Sequence, residues 1–270
     1  VRVQGGIAAL ALLGTIAAPA CVGVPRTPSG PPRSFDRIIV LNRHALTLHL
    51  SRGDATRRPG LLVYATGDGG WRGKDRQVYD QLESWGYAAV GFSAPEYLKH
   101  LPGVAGDDGT TTPARLSQDY ASIIEAARES LDVGKDQYAI LVGVSRGADL
   151  SVVAAGQPGL QPQLGGVVAI ALTKEEEYVR RRRRPKVPLD LYDYLSRLGD
   201  IPLAVIQSTR DNYLNAADAR QLFGQDTPVR RLEAIEADNH SFGGARPLLY
   251  ETLRGALDWI EQCVEQASSR

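Results

Sequence analysis

The chain has 270 residues, 43% hydrophobic and 23% charged, a composition that supports a large buried core and argues against disorder. Lys and Arg balance Asp and Glu at 31 each, so no global field draws the protein to nucleic acid, and electrostatic recognition has to come from a local patch. Two cysteines are too few for a disulfide framework, neither is placed like a metal ligand, and no metal or cofactor is expected.

The N-terminus carries a positive Arg2, an apolar run from Ile7 to Ala18, and Ala18-Pro19-Ala20 as a small-x-small site before Cys21. That is the pattern of an export signal removed from the mature chain. The run is shorter than the roughly 20 residues needed to cross a bilayer as a helix. Residues 1–20 are therefore expected to be a signal peptide for export. Cys21 stands where a lipoprotein signal places its lipidated cysteine, although Ala18 replaces the preferred Leu; lipidation and simple cleavage after Ala20 both stay open. Residues 21–34, rich in Pro and Gly, read as a linker, and residues 35–270 as one domain.

From Phe35 onward strand-like and helix-like segments alternate. Asp36–Leu41 and Ala45–Leu50 predict an antiparallel opening pair. Short continuous apolar runs follow at Gly60–Ala65, Tyr87–Ser93, Tyr138–Val144, Gly166–Leu172 and Leu203–Gln207, with a last strand near Val229–Ile235. Such runs suit strands covered by helices on both faces. Helical patterns lie between them at Asp75–Trp85, Pro113–Leu131, Ala148–Ala155, Ala216–Phe223 and Pro247–Val264. Strands alternating with helices imply an α/β fold with a mostly parallel, doubly wound sheet, here with a small cap insertion around 174–198.

Gly143-Val144-Ser145-Arg146-Gly147 falls between a predicted strand and a predicted helix. Strand, sharp turn, helix is the context of a nucleophile elbow. The flanking glycines avoid collisions with the neighbouring backbone, and the helix N-terminus favours a developing oxyanion. A serine needs a base and an orienting carboxylate, in the chain order Ser, Asp or Glu, His. His240 is the only histidine after Ser145 and is the expected base. Asp211, just past the strand Leu203–Gln207, is the expected acid, with helix capping as its structural alternative. Asp200 lies at the wrong end of that strand, and Asp238 is too close to His240 in sequence to orient it. Thr66-Gly67-Asp68-Gly69-Gly70-Trp71 follows the strand Gly60–Ala65, where this fold supplies its second oxyanion donor. The backbone amides of Gly69 and Arg146 are the candidates, with Asp68 or Gly70 as one-residue shifts of the first.

Gly67-Asp68-Gly69-Gly70-Trp71, Asp75, and Gly143-Val144-Ser145-Arg146-Gly147-Ala148-Asp149 together resemble the VirJ/AcvB family of bacterial virulence proteins. The family has a Gly-Asp-Gly-Gly-Trp loop and a Gly-x-Ser-x-Gly-Ala-Asp elbow, and the resemblance covers Gly60 to the C-terminus. It implies an α/β-hydrolase in the periplasm. Members resembling this chain include hydrolases that remove aminoacyl groups, such as lysyl, from phosphatidylglycerol; others are linked to type IV secretion. By motif, Ser145 carries over as nucleophile and Asp68 as a loop residue near the oxyanion site; Asp68 and Trp71 are the expected substrate-binding residues. His240 and Asp211 carry over by position. Arg146 departs from the family, which often has an aromatic or other residue there.

Glu175-Glu176-Glu177 and then the run Arg180–Arg184 fall in the insertion. The basic run suits phosphate headgroups or an anionic membrane surface, or else a solvated face. The expected activity is a Ser-His-Asp ester hydrolase acting on a membrane phospholipid or another ester. The alternatives are a generic carboxylesterase and a non-catalytic secretion-system component.

Overall fold

The computed structural model describes residue 1 and residues 33–41, 43–53, 58–99, 111–177 and 188–269. Residues 2–20 of the expected signal peptide, Cys21, nearly all of the expected linker, His100 and the Arg180–Arg184 run lie outside the described residues. Strand β1 (Ser34–Leu41) pairs antiparallel with β2 (His44–Ser51), the opening pair read from the sequence. Then come β3 (Leu61–Ala65), α1 (Gly73–Ser84), β4 (Ala88–Phe92), the short α2 (Ala94–Lys99), α3 (Pro113–Leu131), β5 (Ala139–Val144), α4 (Arg146–Ala155) and β6 (Leu164–Ile170). The insertion contributes a two-residue pair, β7 (Glu175–Glu176) with β8 (Leu189–Asp190), followed by α5 (Leu191–Tyr194) and a 3-10 turn. The chain ends through β9 (Leu203–Ser208), α6 (Ala216–Phe223), β10 (Arg230–Ile235) and α7 (Arg246–Ser268).

Eight strands form one sheet in the order β1-β2-β4-β3-β5-β6-β9-β10. β2 meets β4 antiparallel, and from β4 across to β10 all pairs are parallel. The central strands are buried on both faces, which is why they read as unbroken apolar runs. In β3, Leu61, Val63 and Ala65 face the core under α3 and α4, while Leu62 and Tyr64 face the core under α1 and α7. This alternation is the period of two expected of a strand.

Helix α3 shows how local chemistry sets an element. The Thr112 side chain accepts the Arg115 N–H, Pro113 opens the first turn, and Asp132 ends the helix in the left-handed region at φ 57°. Leu116, Tyr120, Ile123, Ile124 and Ala127 recur at helical spacing and are wholly buried. The insertion is packed rather than draped: Leu189, Leu191, Tyr194 and Leu195 join the core cluster that contains α4. A side chain at Gly156, the C-cap of α4, would meet the Tyr194 ring at 2.3 Å. Among the described residues no helix is long and apolar enough to cross a membrane.

Candidate active site

Four loops leave the carboxyl ends of β3, β5, β9 and β10 and converge on one edge of the sheet, the edge where open α/β sheets place their ligands. Ser145 sits between β5 and α4 at φ 51° and ψ −120°, a region that costs a non-glycine residue of order 1–3 kcal/mol. The neighbours explain why glycines flank it. A Cβ on Gly143 would lie 2.2 Å from the Gly147 carbonyl oxygen, and one on Gly147 would lie 2.1 Å from the Ala65 carbonyl oxygen. The turn is tied down by the Ser145 N–H, which donates to the Ile170 carbonyl at 2.8 Å, and by the Asp149 N–H, which donates to the Ser145 carbonyl at 3.0 Å. The tight backbone packing on both sides of Ser145 holds the strained residue in place.

His240 Nε2 is 2.8 Å from Ser145 Oγ, and His240 Nδ1 is 2.7 Å from Asp211 Oδ2. The structure thus brings together three residues separated by 95 and 29 positions along the chain. The Asp211 side chain is fully buried. Its Oδ1 accepts the N–H groups of Tyr213 at 2.8 Å and Leu214 at 3.3 Å, and its Oδ2 also accepts from Gln207 Nε2 at 3.2 Å. Asp211 therefore shapes its own loop and does not cap the following helix; Asn215 does that. Asp238 instead pairs with Arg210 at 3.2 Å, and Asp200 lies in the turn before β9, at the opposite edge.

The glycine loop passes directly beside the serine: a Cβ on Gly67 would lie 3.3 Å from Ser145 Cβ. The Gly70 N–H closes a turn onto the Gly67 carbonyl at 3.0 Å, which removes Gly70 as an oxyanion donor. Gly69 and Asp68 both line the cleft and remain the candidates on this loop. Across from it, Arg146 opens α4, so its N–H is one of those that the helical ladder leaves for another acceptor.

The cleft has a volume of about 620 Å³. Asp68, Glu175 and Glu177 contribute acid to its wall, while Arg72, Lys74 and Arg246 contribute base. Asp75 also lines it; burial raises its carboxyl above the usual range, against the opposing influence of Arg246 and of the Gly67 backbone. Asp149, at the cleft floor, is fully buried and accepts the Thr173 N–H at 3.0 Å and its hydroxyl at 2.8 Å. Burial first, and then the Glu176 carboxylate, push the Asp149 carboxyl well above the ordinary range. Among the described residues no cluster of His, Cys, Asp and Glu is arranged to hold a metal ion.

Trp71 corrects the sequence reading, which placed it at the substrate. Its ring stacks on His49 at 3.9 Å between centroids, with an interplanar angle of 8°, and meets Tyr79 edge-on at 4.8 Å. It is not among the residues lining the cleft. The turn at Gly70 (φ +70°) swings the chain away from Ser145, and the absence of a side chain at Gly91 makes room for the indole. Tyr213 is among the cleft residues that escaped the sequence reading. It lines the cleft with 71% of its surface exposed, its ring 4.7 Å from that of His240. Only its place two residues after Asp211 hinted at this.

Residues 60–178 match the family model described as bacterial virulence protein VirJ. No curated protein matches the chain in sequence. Among solved structures, Est1E from Butyrivibrio proteoclasticus is similar with a TM-score of 0.60 at 13% identity, over 85% of this chain and 99% of that one. The esterase Pf2001 of Pyrococcus furiosus has a TM-score of 0.60 at 13% identity, over 85% and 90%. A putative dienelactone hydrolase from Klebsiella pneumoniae has a TM-score of 0.61 at 15% identity, over 85% and 98%. At such identities the likeness is one of fold. The chain has an α/β-hydrolase fold, and its residues 60–178 match the VirJ family of bacterial virulence proteins.

Proposed function

We propose that this protein is a periplasmic serine hydrolase that cleaves a carboxylic ester through Ser145, His240 and Asp211, with an aminoacyl ester of phosphatidylglycerol, of the lysyl type, as its substrate. The observation that carries the reading is the hydrogen-bond chain from Ser145 Oγ through His240 to the buried Asp211 carboxylate. With the proton on Nδ1 donated to Asp211, Nε2 is left to take the serine proton as Oγ attacks the ester carbonyl. The imidazolium then protonates the leaving alcohol. Water, activated by the same nitrogen, releases the acyl group from Ser145. The backbone amides of Arg146 and of Gly69 or Asp68 stabilise the tetrahedral oxyanion in both steps.

The substrate class rests on the family resemblance and on the charge of the cleft. Acidic Glu175 and Glu177 and basic Arg72 and Lys74 line the same cavity. A generic carboxylesterase with an apolar acyl has no use for such a wall, whereas a substrate bearing both an ammonium and a phosphate matches it. The experiment is hydrolysis of lysyl-phosphatidylglycerol in mixed micelles by the wild-type protein and Ser145→Ala, beside a nitrophenyl ester. Lysine release that vanishes in the variant is the expected result. Cleavage of the simple ester alone removes the lipid from the reading. A folded protein that turns over neither, and whose Ser145 ignores a fluorophosphonate, removes the hydrolase reading in favour of the non-catalytic alternative.

A further inference from the structure

The Arg146 side chain follows the nucleophile immediately, yet the proposed reaction uses only its backbone. Its guanidinium is 14% exposed and spans three segments of the chain. Nε lies 3.3 Å from Asp68 Oδ1, in the glycine loop. Nη1 lies 3.2 and 3.1 Å from the two oxygens of Glu176, whose side chain is wholly buried. Nη2 reaches Glu177 at 3.7 Å. Burial opposes the charge on Arg146, but Glu176 and then Asp68 outweigh it and hold the guanidinium firmly protonated.

Glu176 is a fixed anchor. It belongs to the small β7–β8 pair, closed by the Leu191 N–H donating to the Lys174 carbonyl at 2.9 Å, and its neighbours Leu189 and Leu191 are in the core. Asp68 is the opposite case. Its side chain is 68% exposed, in a loop with glycines at 67, 69 and 70 that has much backbone freedom to lose. That loop carries one of the two oxyanion donors, and such donors act only when held where the charge develops.

We infer that Arg146 is a positioning residue: its guanidinium clasps the Asp68 loop to the buried Glu176 of the insertion and so fixes the loop amide over Ser145. The inference rests on the reading of Ser145 as nucleophile. The planar fork of arginine reaches both carboxylates at once, whereas the single ammonium of lysine does not. The packing of the insertion is thereby passed to the oxyanion loop through one side chain.

The test compares wild type with Arg146→Gln, Arg146→Lys, Glu176→Gln and Asp68→Asn in two measurements. Amide hydrogen exchange of the peptide covering residues 66–71 reads the clasp without needing activity. Turnover of a nitrophenyl ester reads its consequence. Exchange of that peptide is expected to rise in all four variants, with peptides of α3 unchanged. The kcat is expected to fall about tenfold to a hundredfold, the cost of a loop displaced by about 1 Å, with KM nearly constant and with Arg146→Lys retaining more than Arg146→Gln. Asp68→Asn leaves the buried Arg146–Glu176 pair in place, so it decides the matter if Glu176→Gln does not fold. Wild-type exchange in the folded variants overturns the clasp, as does a wild-type kcat in Arg146→Gln. Faster loop exchange in Arg146→Gln, from a wild type that neither turns over ester nor labels with fluorophosphonate, keeps the clasp and rejects the hydrolase reading.

Discussion

Asp211→Asn is the substitution whose consequence the structure dictates most closely. Each carboxylate oxygen of Asp211 accepts two hydrogen bonds: Oδ1 from the N–H groups of Tyr213 and Leu214, and Oδ2 from His240 Nδ1 and Gln207 Nε2. An asparagine carries one acceptor oxygen and one NH2 group, so two of the four donors lose their partner. The two backbone N–H groups cannot change character, and Gln207 Nε2 is also committed to the Leu214 carbonyl. Only the imidazole can exchange donor for acceptor, by moving its proton from Nδ1 to Nε2. The asparagine oxygen therefore stays on the loop, and His240 takes the tautomer whose Nε2–H faces Ser145 Oγ 2.8 Å away. That nitrogen can no longer accept the serine proton. The expected loss in kcat is about 10⁴-fold, or about 5.4 kcal/mol at about 1.36 kcal/mol per decade. The assay is steady-state turnover of a nitrophenyl ester at neutral pH, with thermal unfolding as the control for the retained loop. A loss of less than tenfold in a protein of unchanged Tm refutes the assignment of Asp211 as the group that sets the tautomer.

Two further outcomes are expected. Gly147→Ala places a Cβ 2.1 Å from the Ala65 carbonyl oxygen and 2.6 Å from that of Thr66; both are backbone of β3 and its exit, so the elbow has to move. A destabilisation of at least about 1–3 kcal/mol, read by urea unfolding, should accompany loss of ester turnover; wild-type stability would show that the elbow has room to spare. Asp149→Asn keeps both bonds to Thr173, since the amide oxygen accepts the Thr173 N–H and the amide nitrogen donates to the hydroxyl. Because burial raises the folded carboxyl above its ordinary 3.8, the folded state holds a proton that the unfolded state releases, and stability falls as pH rises from that value toward the raised one. Asp149→Asn should flatten this part of the Tm–pH curve and raise Tm at pH 8; curves of equal slope would count against a protonated Asp149.

Much of the chemistry is local and legible in the sequence. A strand, a glycine-flanked serine and a helix occupy one contiguous stretch, and steric exclusion of Cβ at Gly143 and Gly147 is a property of that stretch and of the strand beside it. Helix α3 matches its reading at both ends because its cap, its first-turn proline and its apolar spacing all lie within the segment. Helices α1 and α7 begin one or two residues earlier than their patterns suggest, at Gly73 and Arg246, since polar first turns carry no apolar signal. Trp71 differs from its reading for the converse reason. Its motif names a loop, but whether an indole at the end of that loop turns to the cleft or the core depends on the space above Gly91 and on His49, which lie on other strands.

What the sequence by itself determined is the main strands and helices, though not the short α2, α5 or the β7–β8 pair, together with their α/β alternation and the order Ser, Asp, His, because periodicity, turn chemistry and chain order are all one-dimensional. Tertiary structure alone decided the rest. It brought His240 and Asp211 to Ser145 by ending β5, β9 and β10 at one edge of the sheet. It also joined Asp68, Arg146 and Glu176 across separations of 78 and 30 residues. No local pattern encodes such contacts: a charged side chain finds its partner through the folding of everything between them, and a buried carboxylate is tolerated only where that folding delivers its partners, the Arg146 guanidinium for Glu176 and hydrogen-bond donors for Asp211.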